Sequence, residues 1–82
     1  MSQQDARLTH MQGQYVAFIH AYTKLNRRPP AERDIQMYFR TSPPAVHDMI
    51  LRLERLSAIA REPGVARSIR VLLPVDEIPR LD

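Results

Sequence analysis

The stretch TSPPAVHDMILRLERL, residues 41–56, decides the fold. Two prolines stand directly before a run with helical periodicity. Inside a helix, proline removes a hydrogen bond and clashes with the preceding turn. Position resolves the conflict. With Ser42 as N-cap, Pro43 falls at N1 and Pro44 at N2, where the backbone N–H has no partner within the helix anyway. The prolines therefore fix where a helix begins. They also stop an upstream helix from running into it, because the residue before a proline is pushed out of the α region. Behind them Val46, Met49, Ile50, Leu53 and Leu56 form a stripe expected to be buried. Pro44, His47, Asp48, Leu51, Arg52 and Arg55 fall on the opposite face.

Upstream, Asn26-Arg27-Arg28-Pro29-Pro30 is a break. Between it and Ser42 a short helix fits residues 31–39, with Ile35 and Phe39 spaced i, i+4 and Met37 or Tyr38 flanking. Glu32 and Asp34 lie in its first turn, where the helix dipole favours acids. Before the break, Thr9 and Gln12 make a capping-box pattern. Met11, Tyr15, Phe18, Ile19 and Tyr22 then follow as one helical stripe. Gly13 inside that helix costs about 1 kcal/mol relative to alanine, and close approach of another element would account for it.

Downstream of Leu56 the period changes. Residues 59–62 read as a short strand, Pro63-Gly64 as the centre of a type II turn, and residues 68–73 as a second strand. Ile69, Val71 and Leu73 share one face of it. Pro74 ends the strand, and the remaining tail reads as loose. The expected fold is α+β, mostly α: a three-helix winged helix-turn-helix with a C-terminal two-stranded β-hairpin wing. It occupies residues 8–73, between a flexible N-terminus (1–7) and a C-terminal tail (74–82).

The bulk properties narrow the function. With 82 residues, the chain has material for one small domain. There is no cysteine, which removes disulfides, thiol switches and Cys-based zinc sites. The N-terminus shows no apolar run behind a basic stub, and no stretch has the length of a membrane span. The expectation is a cytoplasmic, nucleoid-associated protein with no membrane contact. Net charge is +3, unevenly spread: residues 76–82 carry three acids against one arginine. The body is therefore more basic than the total suggests. All but one of the twelve basic residues are arginine, the side chain best suited to bidentate contact with phosphate and guanine.

The first turn of a recognition helix is the part that enters a major groove. That makes Ser42, Pro44, Ala45, His47 and Asp48 the candidate base-reading residues. Arg27, Arg28, Arg52 and Arg55, with Arg61, Arg67 and Arg70 around the wing, are the candidate phosphate contacts. Plain structural readings stand beside these. Wing arginines also protect the edges of a two-stranded ribbon, and Arg52 and Arg55 have Glu54 and Asp48 within helical reach. Tyr15, Phe18 and Tyr22 read as core rather than as a base-stacking platform. The three histidines do not converge in sequence as metal ligands would. His47 and Asp48 are no catalytic pair, because adjacent helix residues point about 100° apart. No enzyme, cofactor or small-molecule ligand is expected.

These residues resemble the N-terminal DNA-binding domain of the LexA repressor family. The likeness runs from Leu8 to Leu73. It is carried by Leu8-Thr9, by Arg28-Pro29-Pro30 before a helix containing Ile35, by Ser42-Pro43, and by Arg67, Ile69, Arg70 and Leu72 in the wing. The family reads DNA with Ser-Pro-Asn-Ala-Ala-Glu-Glu at the start of its third helix. Here Ser42 and Ala45 match, Pro44 replaces the asparagine, and His47 and Asp48 replace the glutamates. By the resemblance the docking mode carries over and the target sequence does not. The family's self-cleaving Ser–Lys domain is not expected, since Lys24 is the one lysine and lies on helix 1. The resemblance implies a sequence-specific regulator of transcription on double-stranded DNA, a repressor by occupancy. A homodimer on DNA is expected, with Ile78 and Leu81 or helix 1 as its apolar surfaces. The alternative is a winged helix used for protein–protein contact through Leu51 and the two prolines.

Overall fold

A computed structural model describes residues 8–82 of the chain; the expected flexible segment 1–7 lies outside the described residues. Three helices come first: α1 (His10–Asn26), α2 (Glu32–Phe39) and α3 (Pro43–Arg55). A short antiparallel ribbon follows, β1 (Ile59–Ala60) with β2 (Arg70–Val71), and then a single 3₁₀ turn at Val75–Glu77.

Each helix starts where its local chemistry dictates. Thr9 and Gln12 close the capping box on α1, the Gln12 N–H donating to Thr9 Oγ1 and the Thr9 N–H to Gln12 Oε1. At α2 the expected first residue, Ala31, is instead the N-cap, and its N–H donates to Asp34 Oδ2 at 2.9 Å. At α3 Ser42 Oγ accepts the Ala45 N–H, and both prolines fall in the first turn. The ends are less usual. Arg27 and Arg40 close α1 and α2 in the left-handed conformation, at φ 61° and 55°, where glycine is the ordinary choice.

The core is built from Val16 and Ile19 of α1, Ile35 of α2, Val46, Ile50 and Leu53 of α3, Ile59 of β1 and Ile69 just before β2. Complete burial of one such side chain stabilises by about 1.5–3 kcal/mol. Tyr15 stacks on Phe39 at 4.4 Å between ring centroids and Phe18 on Tyr38 at 4.5 Å, which joins α1 to α2. Tyr15 and Phe18 are core residues, as read from the sequence. Met11 is not: it is half exposed. Burial instead runs continuously from Gln12 to Ile19, because this half of α1 is covered on more sides than an amphipathic stripe allows. Leu56 is likewise only half buried at the end of its stripe.

The wing is shorter in ladder than the sequence suggested. Pairing is confined to Ile59 with Val71 and Ala60 with Arg70, extended by the Leu72 N–H to Ala58 O. Beyond that, the Ser68 hydroxyl takes the place of the ladder. It accepts the Glu62 N–H at 2.9 Å and lies 2.9 Å from the Val65 carbonyl, a side-chain substitute for backbone pairing. The Pro63-Gly64 turn is as expected: the Val65 N–H donates to Glu62 O, with Gly64 at φ 78°.

The tail corrects the sequence reading. It is docked on α1 rather than loose. Ile78 and Leu81 pack against the core. The Gln14 amide, buried, donates to Arg80 O at 2.9 Å and accepts the Asp82 N–H at 2.8 Å. Pro79 lies over Gly13 so closely that a Cβ there would sit 2.9 Å from Pro79 Cγ. The expense of a glycine in mid-helix is thereby explained. Asp82 also reaches His10 in the first turn of α1 at 3.0 Å, supplying an acid where the helix has none of its own. Ile78 and Leu81 are thus engaged within the chain and do not stand out as free apolar surface.

Candidate nucleic-acid interface

The first turns of α3 project from this core because Val46 and Ile50 are fully buried beneath them. Ser42, Pro43, Pro44, Ala45, His47 and Asp48 are all exposed. The five expected base-reading residues therefore share one solvent-facing end of α3. Leu51, the apolar residue of the alternative reading, is half buried. Two neighbours flank this end. A cleft of about 400 Å³ separates it from the wing, and its walls include Glu32, His47, Arg61, Val65 and Arg67. The start of α2 forms the other wall.

The seven expected phosphate-binding arginines divide into two groups. Arg27, Arg28, Arg52, Arg55 and Arg70 are exposed, and Arg52 and Arg55 also flank a shallow pocket with Thr9 and Gln12. Arg61 and Arg67 are turned inward. Arg61 Nε pairs with Glu54 at 3.2 Å, with only 16% of the arginine side chain exposed. Glu54 therefore serves the wing, and not Arg52 or Arg55 as its helical spacing allowed. Arg67 is more deeply engaged: Nη1 lies 3.1 Å from Asp34 Oδ2, 3.2 Å from Tyr22 Oη and 3.2 Å from Pro29 O. It bolts the wing to α1, to the α1–α2 break and to α2 at one point, from a left-handed backbone at φ 56°. Around this bolt the Asp34 carboxyl is held below its ordinary range. The cause is first the Ala31 N–H it accepts, then Arg67 and the Tyr22 hydroxyl, working against partial burial.

Sequence reasoning missed two residues here. Asp34 appeared only as a dipole-compensating acid, and it is the anion of the wing bolt. Glu32, read the same way, approaches His47 with both carboxylate oxygens 3.4 Å from Nδ1. No sequence signal connects positions 32 and 47 except the helix-turn-helix packing itself. Arg33 and Arg40 are further exposed arginines. Among the described residues, no three His, Asp or Glu side chains gather as a metal site requires. Nor, among the described residues, is any helix long and apolar enough to cross a membrane.

Two short helices joined by a tight turn, the second presenting an exposed N-terminal end beside a hairpin, define a winged helix-turn-helix. No family model matches the chain. It is 35% identical over 65 residues to the LexA repressor of Thermosipho africanus (strain TCF52B), across 79% of this chain and 33% of that protein. With the LexA repressor of Thermosipho melanesiensis it shares 33% identity over 66 residues, 80% of this chain and again 33% of that protein. The chain is a winged helix-turn-helix that is similar to these LexA repressors over about four fifths of its own length, and it spans a third of the length of the curated relatives it matches.

Proposed function

We propose that this protein is a sequence-specific, double-stranded DNA-binding regulator of transcription, acting as a repressor by occupancy. The observation that carries the reading is the exposed end of α3. Ser42, Pro44, Ala45, His47 and Asp48 are exposed there on a helix whose inner face is locked in the core. In this reading they enter the major groove, and Arg27, Arg28, Arg52, Arg55 and Arg70 contact phosphates. Similarity to two proteins named as LexA repressors supports the same class. The site is in the nucleoid-bearing cytoplasm, and two copies on a two-fold operator supply tight binding, since one winged helix covers one half-site.

Selection of bound sites from a random duplex pool tests this, followed by titrations at two salt concentrations. His47→Ala and Asp48→Ala should relax preference at one or two base pairs by about 1–3 kcal/mol each and leave the salt slope unchanged. Sedimentation with the selected duplex should find two copies bound. If no duplex is enriched and random DNA binds without salt dependence, the domain is a protein-contact module instead.

A further inference from the structure

What His47 can read depends on which ring nitrogen carries the proton. The packing of α2 against α3 bears on that choice. Nδ1 of His47 faces both oxygens of Glu32 at 3.4 Å. An ionised carboxylate only accepts hydrogen bonds, so the nitrogen facing it is the one that carries hydrogen. In a neutral imidazole that leaves Nε2 as a bare acceptor. The other charged groups nearby do not compete. Asp48 points about 100° away on the same helix, and one turn to either side α3 offers only Pro43, Pro44, Ile50 and Leu51. From the wing, Arg61 and Arg67 line the same cleft, but they are bound to Glu54 and Asp34.

We propose that Glu32 is a positioning residue for base reading: it holds the Nδ1–H tautomer of His47 and so presents Nε2 outward as a hydrogen-bond acceptor. The inference rests on α3 reading DNA. An outward acceptor suits the exocyclic amines of adenine and cytosine in the major groove and disfavours guanine O6/N7 and thymine O4. Glu32 therefore influences which base is preferred without reaching the base. The contact is long and half exposed, so its effect is a bias of a few-fold rather than an absolute choice.

The test has two arms. In the free protein at pH 8, long-range ¹H–¹⁵N correlation of the imidazole should show His47 protonated at Nδ1 in the wild type and shifted towards Nε2–H in Glu32→Ala. On a selected duplex with the contacted base pair varied four ways, preference for the donor-bearing base should fall about threefold in Glu32→Ala. It should not change further when Glu32→Ala is added to His47→Ala. Because preference is a ratio between duplexes, the uniform gain in affinity from removing a negative charge near phosphate cancels. Thermal melting of each variant establishes that it is folded. An unchanged tautomer in Glu32→Ala overturns the proposal and leaves α3 reading intact. So does a preference change that survives in the His47→Ala background. A tautomer that responds as expected in a protein that prefers no duplex overturns the DNA reading, and the base-edge role falls with it.

Discussion

The wing corner and the outer face of α3 both carry arginines, and they use them in opposite directions. At the corner, Arg67 faces three acceptors from three different segments, and Arg61 is folded onto Glu54. On α3, Arg52 and Arg55 meet solvent, as Arg70 does on β2. A guanidinium engaged by a carboxylate, a hydroxyl and a carbonyl has little left to offer a phosphate. An exposed guanidinium on α3 or β2 keeps its donors open to solvent. The contrast teaches that positive charge on a basic domain divides into charge that assembles the fold and charge available to a partner.

Arg67→Ala tests the contrast most severely. It should lower the melting temperature by several degrees, because the wing loses its tie to Tyr22, Pro29 and Asp34, and leave the salt dependence of DNA binding unchanged. An unaltered melting temperature with a flattened salt slope would place Arg67 on DNA and erase the distinction. Next in size is an acid effect. Because the Asp34 carboxyl is depressed in the folded state, its contribution is present above the unfolded value near 3.9 and is lost as pH falls through the folded value. Melting temperature should therefore drop as pH falls below about 4. Asp34→Asn should melt lower at neutral pH and show a shallower acid drop, which thermal melts across that range will reveal.

For the outward group the prediction reverses. Arg52→Ala and Arg70→Ala should each flatten the slope of log affinity against log salt by about 0.9, one counterion apiece, with stability changed by no more than about 0.5 kcal/mol. Either variant melting several degrees lower would move that arginine into the structural group. The smallest effect belongs to Arg40, which holds a left-handed helix end. Arg40→Gly should gain about 0.5 kcal/mol, the relief of a disfavoured backbone offset by greater freedom in the unfolded chain. Chemical denaturation resolves a change of that size.

Local chemistry was legible in the sequence. The capping box at Thr9 and Gln12, the Ser42-Pro43-Pro44 entry to α3 and the Pro63-Gly64 turn each act within four residues, and each is found as read. What could not be read depends on distance. Gly13 signalled a close approach, but nothing near it in the chain names Pro79 as the partner. The tail looked loose because Val75, Asp76 and Glu77 are mixed and unpatterned; its order comes from a glutamine 66 residues away. Arg67 is the sharper lesson. An arginine beside a wing looks the same in sequence whether it faces a phosphate or Asp34. Only the fold, which sets Tyr22, Pro29 and Asp34 around it, decides.

The tail clamp also bears on how the domain comes together in time. Gln14 meets Arg80 and Asp82 across 66 and 68 intervening steps of chain, and contacts at such separation must overcome loop closure before they reward it. The helices and the Pro63-Gly64 turn need no such wait. Synthesis delivers roughly 5–20 residues each second, so the 27 residues after Arg55, up to Asp82, take on the order of seconds to emerge. During that interval α1 holds its Gln14 amide open to water and the sockets for Ile78 and Leu81 unfilled. Folding should therefore close from the tail, with protection of the Asp82 amide among the last to appear in a hydrogen-exchange time course.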